Sequence, residues 1–291
     1  MKHVRANGID FAYLEEGDGP TVLLLHGYPD NAHTWSHQMP ALAAAGYRAV
    51  APFLRGYPPT EIPRSGYYDR ATLAVDVAGL IRAVGGDSPV CLVGQDWGAA
   101  ITYSVLMAFP ELVRRAVVMA IPHPAQTLKG LADPRLVQRS FHWWFFQLEA
   151  LPEMAVAAND FAFIDYLWKQ WTSPGHRDDE HVAGIKQMLE KPGALEASLA
   201  YYRALFDPAR ADPALQDVRA RLERPITVPT LAICGGLDLR EASMADQAGY
   251  FSGPYRYEKV AGAEHFLHRE KPEEVTRLVL DWLATDGEEQ S

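Results

Sequence analysis

Cysteine is almost missing from this 291-residue chain, which has only Cys91 and Cys234, each inside a short apolar run. Two thiols so placed build neither a disulfide framework nor a cysteine-rich metal cluster. The expectation is two reduced, buried side chains, no structural metal and no cofactor. Basic charge is scarce too: 27 Lys and Arg face 37 Asp and Glu, a formal net charge of −10. No basic run offers the attraction that nucleic acid or an anionic membrane surface requires, so a small or neutral partner is expected. Long apolar runs are absent as well. Nothing reaches the roughly 20 uninterrupted apolar residues that span a bilayer, and the opening stretch from Met1 to Gly8 lacks the apolar segment of a secretion signal. A soluble, cytoplasmic monomer or homodimer is expected. Repeats and low-complexity tracts are also lacking, and only the acidic end, residues 286–291, has the composition of a disordered tail.

What is present is an alternation. Short apolar runs bounded by Gly, Pro and Asp, at 21–25, 47–52, 90–93, 116–120, 230–234 and 255–260, read as strands. Helix-compatible stretches at 71–84, at 97–109 and at 272–283, the last with proline in its first turn, read as the connections between them. Strands linked by crossover helices give a largely parallel sheet with helices on its faces, an α/β fold. The rhythm stops after Ile121-Pro122-His123-Pro124 and resumes at Ile226-Thr227-Val228-Pro229. Between them lie aromatic-rich helical segments around 141–146, 161–171 and 195–206. The reading is a core of residues 1–122 and 225–291, with residues 123–224 inserted as a helical lid over the sheet.

The most informative stretch is Val90-Cys91-Leu92-Val93-Gly94-Gln95-Asp96-Trp97-Gly98-Ala99-Ala100. An apolar strand runs into Gly-x-Asp-x-Gly and then into small helix formers, the strand–turn–helix that lifts its middle residue to the top of a sheet. A carboxylate at that position lies near the positive end of the helix dipole and needs no general base to act as a nucleophile. Asp is also a favoured N-cap, so the motif alone leaves both roles open for Asp96. Three partners in chain order favour the nucleophile. His26-Gly27-Tyr28-Pro29 follows the 21–25 strand and can direct the Tyr28 amide, together with that of Trp97, at a developing oxyanion, with His26 holding the loop. Asp238 follows the 230–234 strand at the sheet's carboxyl edge. His265, in Gly262-Ala263-Glu264-His265-Phe266, follows the last strand as candidate base, with His268 as a structural neighbour. The order Asp96, Asp238, His265 is nucleophile, acid, histidine.

These motifs resemble the α/β-hydrolase superfamily over the whole chain: an eight-stranded, mostly parallel sheet flanked by helices, with a helical cap insertion. The resemblance is to its branch with an Asp nucleophile, which holds epoxide hydrolases, haloalkane dehalogenases and fluoroacetate dehalogenases. His26-Gly27-Tyr28-Pro29, Arg55-Gly56-Tyr57, Gln95-Asp96-Trp97-Gly98-Ala99 and Ile121-Pro122-His123-Pro124 look most like epoxide hydrolases. The resemblance implies an alkyl ester on Asp96, hydrolysed by water that His265 activates with Asp238 behind it. It also implies lid acids that hydrogen-bond the epoxide oxygen: Tyr202 in one position, and His142 where a second tyrosine is usual. His142-Trp143 with Tyr202 equally resembles the fluoride-holding set of fluoroacetate dehalogenases. Those enzymes, however, carry an arginine directly after the nucleophile, where this chain has Trp97. Trp97 matches the halide ligand of haloalkane dehalogenases, which usually have Asn in place of Tyr28. The aromatic lid implies an apolar cavity in which Trp97, Trp143 and Phe146 contact a hydrophobic epoxide or, alternatively, a halogenated substrate.

Overall fold

The computed structural model describes residues 1–86 and 88–285. The acidic end 286–291 lies outside the described residues. Chain order begins with β1 (Lys2–Ala6), β2 (Ile9–Glu16), β3 (Thr21–Leu25), α1 (Gln38–Ala44), β4 (Arg48–Pro52), α2 (Arg70–Val84), β5 (Val90–Gln95), α3 (Trp97–Ala108) and β6 (Val113–Met119). Seven helices follow: α4 (Pro124–Gly130), α5 (Pro134–Arg139), α6 (Phe141–Phe145), α7 (Leu151–Gln170), α8 (Asp179–Leu189), α9 (Ala194–Phe206) and α10 (Gln216–Arg221). The chain then returns to the sheet through β7 (Thr230–Gly235), α11 (Glu241–Ala245), β8 (Tyr255–Val260), α12 (Leu267–Glu270) and α13 (Pro272–Ala284).

One eight-stranded sheet has the order β1-β2-β4-β3-β5-β6-β7-β8, antiparallel at β1, β2 and β4 and parallel from β4 onward. Every residue of β3, β5 and β7 is buried. That follows from their sequences: unbroken apolar runs have no face to offer water, so both faces must be covered. Helix α2 packs with α3, and α1 with α13. The last helix shows how its sequence dictates this, because Val275, Leu278, Val279, Trp282 and Leu283 recur at helical spacing and are all buried.

The strand order places β3 between β4 and β5, so successive connections depart in opposite directions from β3. A crevice opens at such a reversal, beyond the carboxyl ends of the strands. The turns after β3 and β5, carrying Tyr28 and Asp96, both face it.

Several expected bounds shift. Strand β6 spans 113–119 rather than 116–120, since Ala120 has φ +65° and cannot continue a strand. Strand β5 runs on to Gln95, directly against Asp96. Strands β1 and β2 were not among the expected strands. They form an antiparallel pair at one end of the sheet, in which β1 is a short, mostly exposed and charged edge and β2 a short mixed run ending in two glutamates, so neither gives an unbroken apolar run.

No strand occurs between β6 and β7 among the described residues. Helices α6, α7 and α9 cover the three aromatic segments. Their buried side chains, including Phe146, Ile164, Trp168 and Leu199, join the sheet's own apolar core without a break. Helix α7 is two pieces, interrupted at Ala158–Phe161, where Asn159, Asp160 and Phe161 all have φ between 51° and 56°. Polar ties fasten α7, α9 and α8 to the sheet's loops. Trp168 Nε1 donates to Pro29 O at 2.9 Å, Tyr201 Oη to Arg55 O at 2.7 Å, and His181 Nε2 lies 2.7 Å from Asp30 Oδ1. Both cysteines are buried and free. Among the described residues no helix is long and apolar enough to cross a membrane.

Candidate active site

Asp96 occupies the turn between β5 and α3 with φ 52° and ψ −119°, a conformation that costs an L-residue about 1–3 kcal/mol. Glycines on either side make the turn feasible. A Cβ on Gly94 would lie 2.2 Å from Gly98 O, and one on Gly98 would lie 2.0 Å from Leu25 O. Backbone at that distance cannot yield to a side chain, so strand and helix close on each other only with glycine at both positions. The strain is held because the packing beneath allows no other path.

The side chain of Asp96 makes no capping hydrogen bond to α3, which removes the N-cap reading that the motif left open. Its Oδ1 instead accepts a 2.9 Å hydrogen bond from the Tyr28 amide. That contact depends on Gly27, whose Cβ would stand 2.3 Å from Asp96 Cβ. The other oxygen, Oδ2, lies 3.4 Å from His265 Nε2. This is close enough for strong attraction but leaves Nε2 without an aligned hydrogen-bond partner.

His265 bridges two carboxylates, since its Nδ1 lies 3.3 Å from Asp238 Oδ2. Burial pushes the imidazole toward neutrality, but the hydrogen bond to Asp238 and the charge of Asp96 outweigh it and hold the group at about 9. Burial also pushes the Asp238 carboxyl upward; His265 and the nearby Arg240 reverse this and hold it at about 2. The loop carrying His265 is fixed from three sides. Its amide donates to Trp171 O at 3.1 Å and to Glu264 Oε2 at 2.7 Å, and its carbonyl accepts from Gln95 Nε2 at 3.2 Å.

His26 is structural, as expected. Its Nε2 accepts from the Leu54 amide at 3.0 Å while Nδ1 faces Gly27 O at 2.9 Å, which sets the ring and the loop together. His268 Nε2 lies 2.7 Å from Thr34 Oγ1, away from Asp96.

The inserted helices supply the opposite wall. Asp96, Trp97, Trp143 and Tyr202 line one cavity of about 230 Å³, with Leu128 and Phe206 among its apolar neighbours. The rings of Tyr202 and Trp97 meet edge to face at 5.3 Å, and Tyr202 meets Tyr28 in the same way at 5.4 Å. His142 is buried against Tyr202, with ring centroids 5.2 Å apart, and against Trp171 at 4.8 Å. Burial, reinforced by Arg240, drives His142 well below the usual histidine range, so the ring is neutral, and its Nδ1 has no partner.

Phe146 departs from the expectation. It does not line the cavity; it is fully buried one layer behind, edge-on to Tyr202 at 5.2 Å and to Tyr28 at 5.7 Å. Helix α6 ends just before it, which turns the ring into the core and leaves Trp143 at the cavity. Sequence reasoning also passed over residues that the fold brings close. Arg240 has no motif of its own, while Gln95 and Glu264 lay unremarked inside theirs. Arg70, on the first turn of α2, lines the same cavity as Asp96. An arginine directly after the Asp69 cap carried a helix-start signal only, which hid it.

The parallel sheet, the strained turn after β5, and the acid and histidine after β7 and β8 define a hydrolase-type scaffold, and the chain belongs to the alpha/beta hydrolase fold family, whose model matches residues 20–272. Among sequence relatives, it is 32% identical to Epoxide hydrolase 3 of Xenopus tropicalis over 97% of this chain and 77% of that one. It is 31% identical to the AB hydrolase superfamily protein YfhM of Bacillus subtilis over 96% of both chains. Among solved structures, an epoxide hydrolase from Vigna radiata superposes with a TM-score of 0.75 at 27% identity, covering 97% of each chain.

Proposed function

We propose that this protein opens an epoxide to a vicinal diol through an alkyl ester of Asp96. The observation that carries the reading is the division of labour at one carboxylate. Oδ1 is held by the Tyr28 amide, while Oδ2 faces His265 at the wall of a cavity lined by Tyr202. The resemblance to proteins called epoxide hydrolases points the same way.

In the first half-reaction, Asp96 Oδ2 attacks an epoxide carbon in line and the carbon–oxygen bond breaks away from it. Tyr202 donates a hydrogen bond to the departing oxygen, assisted by neutral His142, and that oxygen takes up a proton from solvent to leave a hydroxyl. In the second, His265 removes a proton from water, which attacks the ester carbonyl carbon. The tetrahedral oxyanion rests on the amides of Tyr28 and Trp97. Collapse releases the diol and restores the Asp96 carboxylate, and the proton held on His265 returns to solvent. Epoxide and water sum to diol, with no external oxidant or reductant. Asp238 holds the imidazole orientation and supports its charge.

We further read residues 123–224 as the cap on a core of 1–122 and 225–291. Helix α10 already rests on α2 and α3, so the cap's last turn is shared with the core. The substrate body lies against Trp97 and Trp143, and Phe146 acts indirectly by holding Tyr202.

Replacing His265 with Gln stops the second half-reaction and spares the first. Incubation with styrene oxide should leave Asp96 heavier by the mass of one substrate molecule on intact-protein mass spectrometry. An enzyme that forms no adduct with any reactive epoxide would refute the scheme. Release of halide from haloalkanes or fluoroacetate, with no diol from epoxides, would assign the same three residues to a dehalogenase.

A further inference from the structure

We propose that Arg70 makes this cavity selective for substrates that carry a carboxylate at the end remote from the reacting carbon. The inference deepens the epoxide reading and rests on it for the reaction, though not for binding. Arg70 and Asp96 line the same cavity, and among the described residues they are its only charged lining. The chemistry proposed above uses Asp96 and Tyr202, which leaves the guanidinium without a task.

Its surroundings give it no structural task either. Arg70 Nε donates to Ser104 Oγ at 3.2 Å, a neutral partner, and Nη2 is buried with no hydrogen-bond partner at all. Among the described residues no carboxylate lies within ion-pair distance of it. The adjacent Asp69 caps α2 and pairs with Arg219 instead. Arg70 is also the first residue of α2, where a cation faces the positive end of the helix dipole, so its charge opposes the helix that carries it. Burial weakens its hold on the proton, and Glu223, outside pairing distance, is the one charge that opposes this. A guanidinium with an unpartnered donor, set against its own helix dipole at the seam between this cavity and the pocket of Asp69, Arg219 and Glu223, is a built receptor for an anion. A carboxylate fits its planar fork, and Ile121, Leu128, Trp143 and Leu205 supply the apolar length between the two ends.

The test uses terminal epoxides of increasing chain length that end in a carboxylate, each paired with its isosteric, uncharged primary carboxamide. At the chain length that spans the cavity, the wild type should favour the acid in kcat/KM by about tenfold, about 1.4 kcal/mol. In Arg70→Gln that ratio should collapse toward one, whatever the absolute rates. Glu223→Gln, which removes the competing carboxylate, should raise it. A ratio that is unchanged in Arg70→Gln, or that falls in Glu223→Gln, overturns the inference. Binding of a non-reacting aryl-alkanoate, followed by quenching of cavity tryptophan fluorescence, separates this inference from the reaction. If no epoxide is opened yet the probe binds and Arg70→Gln abolishes binding, the epoxide reading fails and the receptor stands. If epoxides are opened with no preference for the acid, the receptor fails and the reaction stands.

Discussion

Asp96→Asn keeps the shape of the side chain and deletes a negative charge 3.4 Å from His265 Nε2. Two unit charges at that separation interact by about 5 kcal/mol at an effective dielectric of about 20, an upper limit that the remaining amide dipole and relaxation reduce. Removing it should lower the imidazole from about 9 by about two pK units, equivalent to about 3 kcal/mol. The sign in stability follows from linkage. A histidine raised from 6.5 to about 9 on folding contributes stability that is complete below 6.5 and lost as pH climbs through 9. The wild type should therefore lose about 3 kcal/mol between those limits, and Asp96→Asn should lose much less. Titration of the His265 ring by ¹⁵N NMR measures the first quantity, and urea unfolding at the two ends of the window measures the second. A midpoint that stays near 9 in Asp96→Asn refutes the reasoning. The variant also bears on mechanism. An alkyl ester of Asp96 has lost the same charge, so on the proposed scheme ester formation itself releases the base that the next step needs.

Tyr202→Phe should cost about 10²-fold or more in kcat/KM on an epoxide, as loss of a donor to developing charge does. His142→Gln should cost about tenfold or less, because neutral His142 only assists; equal losses would place the main donor on His142. Gly27→Ala puts a Cβ 2.3 Å from that of Asp96; activity should fall below about 1% while circular dichroism stays native. Full activity would mean that the Tyr28 turn does not need that approach. Asp30→Asn tests the tie to α8. Burial pushes the Asp30 carboxyl up, His181 outweighs this, and it is held at about 2 against an ordinary 3.8. A carboxyl lowered in this way adds stability at neutral pH, about 2 kcal/mol here, that fades as pH falls through about 2. The variant should show that loss in urea unfolding at pH 7, and an unchanged midpoint would remove the tie from the fold's stability.

The parts legible in the sequence share one property, which is that their signal lies within a few residues. Strands β3, β5 and β7 read clearly because total burial demands unbroken apolar runs. The turn at Asp96 read clearly because its two glycines stand two residues away on either side of it, although one of them is required by contact with Leu25 on a neighbouring strand. The edge strand β1 and its neighbour β2 did not, since β1 is mostly exposed and charged and β2 mixes apolar with acidic residues. Phe146 was misplaced because which ring of an aromatic helix reaches a cavity depends on where that helix ends and what packs behind it. Arg70 was missed because nothing nearby in sequence shows that its helix start opens on the cavity of Asp96.

By itself the sequence determined the strand–helix alternation of the parallel part of the sheet, the tight turn, and the candidate nucleophile, acid and histidine. These follow from local rules of period, capping and turn sterics. Only the tertiary structure shows what the Asp96 carboxylate meets, because the Tyr28 amide that claims Oδ1 is 68 positions away and no local pattern encodes that distance. It likewise decided that His265 lies between two carboxylates and that a lone guanidinium shares their cavity. Electrostatics falls off with separation in space, and separation in space is what a sheet with reversed strand order sets.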